Sequence, residues 1–127
     1  MPWGKGAIAS GFVFLSGAEA RRESDDTPPK TMKAQVELVM DRIKVRLKEA
    51  GTSIDNTVKF VWYIADRSQI QEFYDARDGW LDRNAPSLLK DRSYASTLLV
   101  VGLARHDMLV EVDCIAYVPI KTAPHKR

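Results

Sequence analysis

Leu109-Val110-Glu111-Val112-Asp113-Cys114-Ile115-Ala116-Tyr117-Val118 alternates along its whole length. Successive side chains of an extended chain leave opposite faces. Val110, Val112, Cys114, Ala116 and Val118 therefore share an apolar face, and Leu109, Glu111, Asp113, Ile115 and Tyr117 share the other. Two carboxylates stand mid-strand among apolar neighbours, on the face that does not belong to the core. A solvated strand face mixes charges of both signs with threonine. This face reads instead as one that meets a partner subunit, a ligand, or both.

Working back along the chain, Ser96 to Val101 reads as another strand, and Asn84 to Tyr94, which holds Pro86, as a loop. Ile70, Phe73, Trp80 and Leu81 supply the buried side of a helix that Asp66 can cap, with Gln69 three residues on as in a capping box. Val58 to Ala65, rich in β-branched and aromatic residues, is a strand. Met32, Val36, Val39, Ile43, Leu47 and Ala50 form one apolar helical stripe opposite Lys33, Glu37, Asp41, Lys44 and Lys48, and Gly51 fits the position that ends the helix. Residues 18–30 are polar, with two prolines, and read as a loop. Residues 7–17 give one strand, or two short ones around Gly11. The order β-β-α-β-α-β-β predicts an α+β domain: a single mixed sheet with two helices packed on one face. The face carrying Glu111 and Asp113, with Val61, Tyr63 and Leu109, stays open. Large apolar residues there favour an oligomer closed by symmetry.

The 127 residues make one domain, and 45% hydrophobic with 28% charged residues is the range of a soluble globular protein. Net charge is +2, with the basic residues spread out. The exception is the tail, residues 121–127, which carries no apolar pattern and reads as a solvated terminus rather than a nucleic-acid or membrane contact. Residues 1–120 are then the folded domain. The single cysteine, Cys114, sits on the apolar face, which fits a core role and a reducing compartment. Ala7 to Leu15 imitates a signal peptide, but Ser10 and Gly11 interrupt it and only Lys5 precedes it, so Phe12-Val13-Phe14-Leu15 within it reads instead as a buried strand closed by Ser16-Gly17. The expected location is cytoplasmic. His106 lies in a turn and His125 in the tail, which gives no zinc ligand set, and the seven glycines form no phosphate loop. Trp62 and Trp80 read as packing residues.

Several segments together resemble the RidA family, also called YjgF or imine deaminase. Phe12-Val13-Phe14-Leu15-Ser16-Gly17 is similar to its hydrophobic strand ending in Ser-Gly. Leu47-Lys48-Glu49-Ala50-Gly51-Thr52-Ser53-Ile54-Asp55-Asn56-Thr57-Val58-Lys59 is similar to its helix end, and Tyr63-Ile64-Ala65-Asp66 to the strand after it. Val110-Glu111-Val112-Asp113-Cys114-Ile115-Ala116 resembles its closing strand. The likeness runs over residues 2–120. It implies a homotrimer with a central barrel and sites in the clefts between subunits. It also implies cofactor-independent hydrolysis of small enamines and imines, such as 2-aminoacrylate or aminomuconates, with release of ammonia. The implied partners are a small-molecule metabolite and two further copies of the chain, with no nucleic acid and no membrane.

Carried over residue by residue, the resemblance puts the water-positioning glutamate at Glu111, with one extra residue in the turn Arg105-His106-Asp107. It puts the aromatic over the site at Trp3, the ligand-side backbone at Ser16 and Gly17, and the asparagine of the second helix at Gln71. The arginine that grips the substrate carboxylate falls on Ala95, so a bidentate grip is missing. Arg92, three residues earlier, is the leading replacement, ahead of Arg105 and Lys5, and Ser96 and Thr97 offer hydroxyls. Two functions from different classes follow. One is a deaminase whose substrate is longer than the short 2-imino acids. The other is a non-catalytic trimer that binds a small ligand or another protein. Ribonuclease activity, also described in the family, lacks a histidine acid–base pair or basic stripe to support it here.

Overall fold

In the computed structural model, which describes residues 4–120, the chain opens with a hairpin. Strands β1 (Gly6–Ala9) and β2 (Phe12–Leu15) flank Ser10 and Gly11, whose φ angles of 51° and 80° are those of a two-residue type I′ turn. The expected interruption at Gly11 is thus a hairpin turn. After the Ser16-Gly17 break, Ala18–Glu19 adds a two-residue strand, β3, inside the segment read as a loop. Helix α1 (Met32–Glu49) starts at Thr31, whose side chain accepts from the Ala34 N–H at 3.2 Å. It ends at Gly51 (φ 87°): the Gly51 N–H bonds the Lys48 carbonyl and the Thr52 N–H that of Leu47, a Schellman ending.

Strand β4 (Thr57–Ile64) follows, then helices α2 (Ile70–Asn84) and α3 (Pro86–Asp91), and strands β5 (Ala95–Val100) and β6 (Val110–Tyr117). Helix α3 corrects the loop expected over Asn84 to Tyr94. Pro86 occupies the first turn of a helix, where no N–H is needed, and Leu88 goes into the core. Asp66 also departs from expectation: its carboxylate accepts from Ser68 and caps a short 3-10 turn, Arg67–Gln69, that leads into α2.

The strand order is β1-β2-β6-β4-β5, with β3 continuing beyond β2 along the same edge of β6. Among the described strands only β4 and β5 run parallel. The central β6 buries Val110, Val112, Cys114 and Ala116, and β4 buries Phe60, Trp62 and Ile64, all against the apolar stripes of α1 and α2. Leu109 packs with this core and not on the open face, because it precedes the strand. Trp62 stacks on Phe60 at 4.5 Å between ring centres, and Trp80 donates to Asp41 at 2.8 Å, tying α2 to α1. Cys114 is buried with its thiol pushed up to about 12 by desolvation, which makes it a packing residue. No helix among the described residues is long and apolar enough to cross a membrane.

Candidate active site

The helices leave the second face of the sheet uncovered, and strand register sets its side chains out as a grid. One row runs Glu19–Glu111–Tyr63–Leu99 across β3, β6, β4 and β5. The next runs Asp113–Val61–Thr97, with the Ser16-Gly17 break where β2 and β3 would supply a residue. A third runs Ala7–Phe14–Ile115–Lys59–Ala95, and a fourth Ala9–Phe12–Tyr117. The alternation of β6 thus places Glu111 and Asp113 on the open face, and both are half-buried.

Gly17 shapes the centre of this face. A Cβ there would collide with Glu111 Oε2 and stand 3.3 Å from Asp113 Oδ1. The missing side chain therefore lets the Glu111 carboxylate lie against the backbone of the β2–β3 break. Glu111 is held above the usual glutamate range, first by desolvation and then by the nearby charges of Glu19 and Asp113. Asp113 has a partner of its own: its Oδ2 accepts a hydrogen bond from the Tyr63 phenol at 2.7 Å. That bond, with desolvation and the two acids, raises Tyr63. Glu19 is ion-paired with Arg21, which also pairs with Asp26. Beside these groups lies a concavity of about 290 Å³, lined by Phe14, Ser16, Gly17, Lys59, Asp113 and Ile115 among others.

The structure brings together Glu111, Ser16 and Gly17 of the expected site, and it places Thr97 on the same face, exposed, two strands from Asp113. It does not bring the others there within one chain. Ser96 points to the helix side and accepts from the Trp62 indole at 2.8 Å. Gln71 is exposed on α2, bonded to Asp75 at 2.9 Å, on the covered side of the sheet. Arg92 ends α3 in a left-handed conformation, exposed. Arg105 is engaged by Asp26 and Asp107. Trp3 and the tail lie outside the described residues. Sequence reasoning missed Glu19, which sat in an apparent loop, and Lys59, which shares the parity of Val61 and Tyr63 and was legible from it. Among the described residues no group of three or more His, Cys, Asp or Glu is placed to hold a metal ion.

Residues 1–118 match the family described as Endoribonuclease L-PSP. The chain belongs to this family, the YjgF/RidA family that the sequence resembles. A RutC family protein of Pyrococcus abyssi is 24% identical over 117 residues, covering 91% of this chain and 86% of that protein. An endoribonuclease L-PSP structure from Entamoeba histolytica superposes with a TM-score of 0.75 at 27% identity, over 92% of this chain and 88% of the other. Escherichia coli TdcF with bound serine has the same fold, with a TM-score of 0.77 at 18% identity over 92% and 88%. In this L-PSP family chain the single mixed sheet backed by helices is therefore the family's architecture.

Proposed function

We propose that the protein is a hydrolytic deaminase of a small enamine or imine, acting without an organic cofactor and assembled as a homotrimer. The observation that carries this reading is the Glu111 carboxylate: partly desolvated, raised in pKa by burial and by two neighbouring acids, and turned over Gly17 beside a concavity on an open face. An enamine first takes a proton on carbon to become the iminium ion. Water then adds to the C=N carbon, giving up its proton to Glu111 as the new C–O bond forms. That proton passes to the amino nitrogen, the hydroxyl proton of the carbinolamine goes to Glu111 as the C–N bond breaks, ammonia leaves, and the carbonyl remains. One carboxylate can serve both transfers when its pKa is moved toward the working pH. The serine bound to TdcF supports a ligand of amino-acid size.

Ala95 at the position of the family arginine favours a second reading, a trimer that binds a small metabolite without turning it over. Ribonuclease activity finds the least support, because Glu19, Glu111 and Asp113 on one face repel a polyanion. The deciding experiment incubates the purified protein with enzymatically generated enamines, short and long, and follows ultraviolet decay and ammonia release. Decay well above the buffer rate is expected for at least one of them. Decay at the buffer rate across the series, together with a ligand-induced thermal shift, would establish the silent trimer instead.

A further inference from the structure

We propose that Lys59 is the anion-binding residue of this site and that the ligand is a carboxylate-bearing one, its acid held at Lys59 and its nitrogen end at the carboxylates across Gly17. The proposal rests on the deaminase site for its place but not for its test. Lys59 projects from β4 onto the open face and lines the concavity that Ser16, Gly17 and Asp113 also line. It is half-buried, and it makes no hydrogen bond or ion pair with the described residues. The acid lining the same concavity, Asp113, accepts from the Tyr63 phenol. Two competing cations are committed elsewhere, Arg21 to Glu19 and Asp26 and Arg105 to Asp26 and Asp107, and Arg92 stands exposed at the end of α3.

Register adds a second line of support. Lys59 lies directly beside Ala95 in the same row, so its neighbour on that strand is a short side chain. The concavity is lined by one cation, Lys59, and one carboxylate, Asp113, with Glu111 against Gly17 beside it, the pair of charges that an amino or imino acid calls for. A lone ammonium in a half-dry pocket gives a monodentate, charge-assisted contact to such a ligand.

The test measures binding of 2-oxobutanoate, a stable keto acid of the product class, by calorimetry to the wild type, Lys59→Met and Lys59→Arg, with 2-butanone as the uncharged control. Lys59→Met should weaken the keto acid at least about tenfold, Lys59→Arg should recover most of it, and the ketone should be unaffected. Lys59→Gln serves as the second variant if methionine disturbs the face. Equal affinity of wild type and Lys59→Met for the keto acid, or a wild type that binds no keto acid, overturns the assignment. A wild type that binds the keto acid through Lys59 yet releases no ammonia from any enamine overturns the deaminase reading alone.

Discussion

At the scale of single residues, the character of Glu111 comes from its surroundings: a neighbouring strand with no side chain at Gly17, an acid on either side, and partial exclusion of water. The same surroundings make it costly to the fold when ionised. Because folding raises this pKa, the stability that Glu111 contributes is present below the ordinary glutamate value. It is lost as the pH rises through the raised one. Replacing Glu111 by Gln keeps the shape and removes the repulsion, so at neutral pH the variant should melt higher, by roughly 2 °C after allowance for solvent screening. Its kcat/KM on a substrate enamine should fall by about a hundredfold or more. In the wild type, kcat/KM should climb with pH on a limb whose midpoint lies above the ordinary glutamate value, and that limb should vanish in the variant. Calorimetric melting and a pH–rate profile check the two halves separately.

At the scale of elements, the open face is positioned by what happens behind it. Gln35 of α1 is buried and donates to the Pro29 and Asp107 carbonyls at 2.8 and 3.1 Å, while its Oε1 accepts from the Leu109 N–H at 2.7 Å. One amide thus ties the loop before α1 to the approach to β6 and holds the register that puts Glu111 outward. Gln35→Leu leaves three backbone groups to find other partners, and should cost about 2 to 4 kcal/mol in denaturant unfolding, with little change in the far-ultraviolet spectrum. The main elements were legible in the sequence because their periods are unmixed: α1 through its stripe and Gly51, β6 through its alternation. α3 was not, since Pro86 signals a helix start as readily as a break. β3 was not, since two residues carry no period. Of the site, Glu111 and the Ser16-Gly17 break followed from pattern and resemblance together. The Tyr63–Asp113 bond and the placing of Glu19 needed the register between strands. The departure of Ser96 to the helix side followed from the parity of β5, fixed by its pairing with β4.

At the scale of the whole molecule, one sheet face is closed by helices and the other carries half-buried acids beside exposed Phe12, Phe14, Leu99 and Tyr117. Such a face has the composition of an interface: in an assembly its apolar residues would supply the burial and its polar groups would gain from exclusion of water. A closed ring of copies would place the Glu111 carboxylate at a seam, where desolvation strengthens further. Sedimentation equilibrium of the purified protein at micromolar concentration tests this most directly. Three chains of 14.3 kDa should sediment as one species of about 43 kDa. A folded, monodisperse 14.3 kDa species under the same conditions would contradict the account.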